Sequence, residues 1–167
     1  PINCNPKPGE RILIHFGAVD QIATVWVNGE KVGSHEGGYL PFSFDITKVV
    51  KRDGENQLKV EVMDTLSRDY PYGKQTKKRG GMWYTPVSGI WQNVWLENVC
   101  DNYIEKIKIT PSTKGVKIAL SKNVKDFKVR IRTGEGRMCI YKFNGFKASI
   151  QFTHPILWTC ENPFLYY

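Results

Sequence analysis

The run Ile90-Trp91-Gln92-Asn93-Val94-Trp95-Leu96-Glu97 constrains the fold more than any other part of the chain. Ile90, Gln92, Val94 and Leu96 fall on one side of a period of two, and Trp91, Asn93, Trp95 and Glu97 on the other. Such alternation describes an extended strand with two unlike faces, not a helix. Just before it, Gly80-Gly81-Met82-Trp83-Tyr84-Thr85-Pro86 mixes paired glycines and a proline with aromatics, which describes a loop feeding that strand. Trp91 and Trp95 read most simply as plugs of a sandwich core. Trp83 and Tyr84, in the glycine-rich half, divide evenly between a core place and a ligand-facing one.

The same period recurs upstream. Ile12, Ile14 and Phe16 alternate with Leu13 and His15 in a largely buried strand, where an isolated His15 reads as structural. Ala23, Val25 and Val27 alternate with Thr24 and Trp26, and Asn28-Gly29 then turns the chain, since both residues tolerate positive φ. That turn accounts for Asn28 without a ligand-binding role. Gly37-Gly38 bends the chain into the short strand Phe42-Ser43-Phe44, and Asp45 or Thr47 caps a single helical turn over residues 48–51. Asn56 to Met63 forms a further strand with Leu58, Val60 and Val62 inward. Residues 64–79 have no apolar period, and Tyr70-Pro71-Tyr72-Gly73-Lys74-Gln75 with Lys77-Lys78-Arg79 reads as a long basic, aromatic loop.

Charge divides the chain. Residues 1–100 hold 12 Lys+Arg against 11 Asp+Glu, and residues 101–167 hold 12 against 5. The break marks a domain boundary near Cys100. Beyond it the strands expected are Ile104–Ile109, Val116–Leu120, Phe127–Ile131, Met138–Phe143 and Ala148–Phe152, with Asn144-Gly145 as a second hairpin turn. The basic residues there alternate with apolar ones, as in Lys128-Val129-Arg130-Ile131-Arg132, so they read as solvated strand faces and not as a nucleic-acid surface. No apolar run is long enough to span a bilayer, and no signal peptide opens the chain, so neither membrane nor nucleic acid is an expected partner. Cys4, Cys100, Cys139 and Cys160 form no Cys-x-x-Cys pair, which argues against zinc; no metal or cofactor is expected. Free buried thiols in a reducing, cytoplasmic setting are the simplest reading, with disulfides and a secreted or periplasmic setting left open.

In order and spacing, these elements resemble the sugar-binding domain of glycoside hydrolase family 2, the family of β-galactosidases, β-glucuronidases and β-mannosidases. The resemblance covers residues 10 to 98. It rests on the Asn28-Gly29 hairpin, the Gly37-Gly38 bend, Phe42-Ser43-Phe44-Asp45-Ile46-Thr47, the strand after Gly54, and Ser88-Gly89-Ile90-Trp91 with Val94-Trp95-Leu96. The ending Leu157-Trp158-Thr159-Cys160-Glu161-Asn162-Pro163-Phe164-Leu165-Tyr166 resembles a signature of the immunoglobulin-like domain that follows in that family. The resemblance implies an all-β chain. Residues 1–100 would form a jelly-roll-like (galactose-binding-like) β-sandwich lacking its first strands. Residues 101–167 would form an immunoglobulin-like sandwich lacking its last, since that fold takes about 100 residues.

The family's acid and nucleophile are two glutamates on a (β/α)₈ barrel, which needs roughly 250 residues of alternating strand and helix. No such alternation is present, so no acidic residue here is expected to be catalytic. The resemblance therefore implies a non-catalytic N-terminal region that walls the active-site mouth of a barrel elsewhere in the same protein. A free-standing carbohydrate-binding module is the alternative, and a basic interaction domain a third. The expected partners are a β-glycoside and that barrel, with a homo-oligomer left open. Several family members present an acidic side chain just ahead of the Ser-Gly-Ile segment; here Trp83 and Tyr84 stand at that place. The candidate substrate-binding residues are thus Trp83 and Tyr84, with Lys74 and Gln75 behind them.

Overall fold

The computed structural model describes residues 7–167, apart from the side chains of residues 122, 123 and 125. Cys4 lies outside the described residues. The chain divides into two compact units, Pro1–Asp101 and Asn102–Tyr167. The described residues contain strands and turns and no helix.

Unit 1 is built from two three-stranded antiparallel sheets. In the first, β1 (Glu10–Phe16) lies between β5 (Phe42–Asp45) and β8 (Val94–Cys100). In the second, β3 (Ile22–Val27) lies between β4 (Glu30–Glu36) and β6 (Leu58–Met63). A short pair, β2 (Val19–Asp20) with β7 (Gly89–Ile90), stands beside them. The alternation legible in the sequence sets the core. Ile12, Ile14 and Phe16 from one sheet meet Ala23, Val25 and Val27 from the other, and Val19 and Ile46 complete a cluster exposed by 1% or less. This is the sandwich-like arrangement expected of strands with one apolar face.

Local chemistry fixes the joints. Asn28 and Gly29 take φ of 51° and 87°, as the hairpin turn demands. Asp45 caps the next turn, its Oδ1 accepting from the Thr47 amide at 3.0 Å and the Thr47 hydroxyl at 2.5 Å. The turn closes when the Val49 and Val50 amides both donate to the Ile46 carbonyl. Burial pushes the Asp45 carboxyl up, but the bonds from Thr47 and the charge of Arg11, at 3.3 Å, outweigh it, so its pKa lies below the usual carboxylate value.

The run Ile90–Glu97 is not one strand. Gly89–Ile90 pairs with β2, and the chain breaks step before Val94 joins β1. Trp91 and Trp95 do not fill the core. They are 52% and 46% exposed, because the space between the sheets is already occupied by the branched side chains of β1 and β3. Trp91 donates its indole N–H to the Gly38 carbonyl at 2.7 Å and meets Tyr39 edge-on. Trp95 stacks on His15 with ring centroids 4.9 Å apart. His15 also meets the Ser43 hydroxyl at 2.6 Å, and its Nε2 lies 3.0 Å from Glu97 but out of line for a hydrogen bond. These contacts give His15 a structural place.

Unit 2 is a single antiparallel sheet in the order β11-β10-β9: β9 is Ile107–Ser112, β10 Gly115–Arg132 and β11 Met138–Gln151. Four expected strands merge into the two long ones. Asn144-Gly145 is not a hairpin turn; it sits inside β11, opposite Asp126 and Val124, where the register shifts. Gly145 keeps the positive φ of 87° that the sequence signalled, but spends it on a bulge. The actual turn spans residues 133–137. The tail returns to β10, where Tyr167 and Arg132 exchange backbone hydrogen bonds at 2.8 and 2.9 Å. Cys100, Cys139 and Cys160 are free and exposed, not buried, since each stands on or beside a solvent-facing position of a strand or loop.

Candidate functional site

The segment from Asp64 to Ser88 follows β6 and returns to β7, and it holds all four candidate residues. It lacks apolar periodicity, so hydrogen bonds rather than packing must hold it. Asp64 accepts from the Leu66 amide at 2.9 Å, steadying Leu66 at a φ of 51°. The Tyr70 hydroxyl donates to the Glu36 carboxylate on β4, which raises the Tyr70 pKa. Gln75 and Tyr84 form a parallel bridge, with the Tyr84 amide on the Lys74 carbonyl at 2.9 Å. The Gln75 side-chain carbonyl accepts from the Val87 amide at 2.5 Å. Between these legs Gly81 takes a φ of 61°, letting the chain reverse just before Trp83.

The result is a cleft of about 290 Å³ lined by Leu66, Arg68, Tyr72, Gln75, Lys77 and Trp83, with Thr76. Trp83 is 49% exposed, so half of its indole remains open beside the cleft. Of the sequence candidates, the structure brings Trp83 and Gln75 together in this lining. Tyr84 and Lys74 join them through the backbone bridge but do not line the cleft. Gln75 acts as a clamp through Val87, which its amide oxygen serves. Tyr72 and Arg68 were missed as individual residues; the aromatic, basic composition of 64–79 was the available signal. The lining contains two cations, Arg68 and Lys77, and no carboxylate.

Asn28 is committed to the fold. Its side chain donates to the Val49 carbonyl at 2.7 Å and to Asn56 at 2.8 Å, and accepts from the Gln57 amide at 3.0 Å. Among the described residues no group of three His, Cys, Asp or Glu side chains is placed to hold a metal ion. Among the described residues no helix is long and apolar enough to cross a membrane.

Two three-stranded sheets that share one apolar core, joined by the aromatic 64–88 segment, define a β-sandwich-like domain. The chain belongs to glycoside hydrolase family 2: residues 6–99 match the model for "Glycosyl hydrolases family 2, sugar binding domain". It is 31% identical to a β-galactosidase of Thermoanaerobacter pseudethanolicus over 95% of this chain and 23% of that protein. It is 27% identical to a putative β-glucuronidase of Formosa agariphila over 92% of this chain and 20% of that protein. Among solved structures, a β-glucuronidase of an uncultured Clostridium superposes with a TM-score of 0.73 and 28% identity, over 99% of this chain and 30% of that one. The chain thus spans about a quarter of the length of the curated relatives it matches, and residues 6–99 are the family's sugar-binding domain.

Proposed function

We propose that this chain is the part of a β-galactosidase- or β-glucuronidase-like hydrolase that walls and supports the active site, while a barrel elsewhere in the same protein performs the hydrolysis. The observation that carries this reading is Trp83: half exposed, in a cleft, on a loop pinned at Glu36, Lys74 and Val87. An indole held rigidly in that way covers the apolar face of a sugar ring at little cost in entropy. Tyr72 and Gln75 flank it, and Arg68 and Lys77 favour a sugar that carries an acidic group. The relatives named above are β-galactosidases and β-glucuronidases, which supports the reaction class. We assign residues 102–167 to an immunoglobulin-like domain, of which the β11-β10-β9 sheet is one layer.

Cleavage of a glycosidic bond needs two carboxyl groups fixed about 5 Å apart in a retaining site. The cleft supplies none. The purified chain is therefore expected to show no turnover of aryl β-galactosides or β-glucuronides. It is expected to bind sugar only weakly, since one wall of a pocket offers few simultaneous contacts. Turnover by the chain itself, free of contaminating enzyme, would overturn this assignment.

A further inference from the structure

One face of the unit 2 sheet carries the apolar side chains that pack together, including Ile118, Leu120, Phe127 and Ala148. The opposite face is basic. The register sets Lys108 of β9 and Lys147 of β11 on either side of Ala119 in β10. Lys117 follows two residues away on the same face, with Thr110 and Ser149 beside it. Neighbouring strands lie about 4.8 Å apart, so the backbones at Lys108 and Lys147 are roughly 10 Å apart across the small Ala119. These side chains line a shallow depression of about 540 Å³. Lys147 reaches over the Phe146 ring at 5.0 Å. Farther along, Lys128 stands directly opposite Lys142.

A solvated face usually sets unlike charges across from one another, because like charges placed opposite destabilise a sheet. Here lysines converge, and the described ion pairs of the chain all lie in unit 1. We infer that this face is a binding surface for an acidic polysaccharide, with carboxylate or sulfate groups of the glycan seated among Lys108, Lys117 and Lys147. The choice of a glycan rests on the proposed function of the protein as part of a glycosidase. The depression itself favours it over single-stranded nucleic acid. Its lining of Thr110, Ala119 and Ser149 offers hydroxyls to a sugar and no aromatic platform on which bases could stack.

The test measures binding of the 167-residue chain to sodium polygalacturonate, with neutral dextran and single-stranded DNA as comparisons, across a salt series. Polygalacturonate should bind, dextran should not, and affinity should fall with salt as counterions are released. Lys108→Gln/Lys117→Gln/Lys147→Gln should lower the affinity about tenfold or more, with the melting temperature unchanged or slightly raised. Lys117→Gln alone should lower it severalfold, which covers the case of a triple variant that folds poorly. Lys31→Ala/Lys48→Ala/Arg52→Ala, exposed cations of unit 1 outside the cleft, should leave it unchanged. Absence of polygalacturonate binding at low salt overturns the proposal, as does full affinity in the Gln variants. Tighter binding to DNA, lost in the same variants, replaces the glycan with nucleic acid. None of these outcomes reports on Trp83, so the role of the cleft stands or falls separately.

Discussion

Replacing Asn56 by alanine should be among the most damaging single changes in unit 1, although no core hydrophobe is touched. Asn56 is 1% exposed. Its Oδ1 accepts from the Lys51 amide at 2.6 Å and from the Asn28 side chain at 2.8 Å, and its Nδ2 donates to the Lys51 carbonyl at 3.0 Å. Truncation removes all three bonds and strands their partners. Each buried polar group left unmatched costs about 1–3 kcal/mol, but water reaches the exposed Lys51 backbone and recovers part of that. The expected loss is about 2–4 kcal/mol, a large share of the 5–15 kcal/mol typical of a domain. For a unit of this size that lowers the melting temperature by roughly 10–25 °C. Urea titration followed by tryptophan fluorescence suits the measurement, because four of the five tryptophans lie before residue 102. A double-mutant cycle with Asn28→Ala should give a coupling of at least about 0.5 kcal/mol, since the two amides touch. A loss below about 0.5 kcal/mol for Asn56→Ala would refute the reasoning and leave this network decorative.

Gly33→Ala should destabilise unit 1 by about 1–3 kcal/mol in the same titration, because a Cβ there falls into the Phe44 ring, which packs against the core. Asp45 titrates lower in the folded chain than its ordinary value of 3.8, so its stabilising contribution is complete above that pH and disappears as the pH falls through the lower folded value. Asp45→Asn should remove that part of the acid dependence, and an unchanged acid unfolding profile would contradict it. Tyr70→Phe should leave the fold intact yet speed tryptic cleavage at Lys77-Lys78-Arg79, because the loop loses its tie to Glu36; an unchanged cleavage rate would show that the tie is dispensable.

The period-two pattern of Ile12, Ile14 and Phe16 and of Ala23, Val25 and Val27 made the unit 1 core legible, because alternation reports directly which face is buried. The pattern said less about Trp91 and Trp95. Composition marks a tryptophan as burying itself, but whether room exists is decided by how far β1 and β3 have already filled the interior. Asn144-Gly145 misled for a related reason: positive φ serves a bulge as well as a turn, and only the cross-strand register tells them apart. In the loop, Trp83 could be singled out from its glycine-rich setting. The partners that gather with it, Arg68 and Tyr72, could not, because a segment held by side-chain and backbone bonds carries no periodicity to read.

Trp83 is proposed to meet the sugar. The direct measurement is steady-state kinetics of Trp83→Ala in the full-length hydrolase of which this chain is proposed to be part. Trp83 is 49% exposed, so a sugar ring can cover about 100 Å² of the indole, worth at most about 2.5 kcal/mol at about 25 cal/mol per Å². Ordering and imperfect fit reduce that to about 1–2 kcal/mol, or roughly 5–30-fold in kcat/KM. The expected result is a loss of that size with the melting temperature nearly unchanged, and partial recovery in Trp83→Phe. Unaltered kcat/KM, or a variant that unfolds, would contradict it and make Trp83 a structural residue.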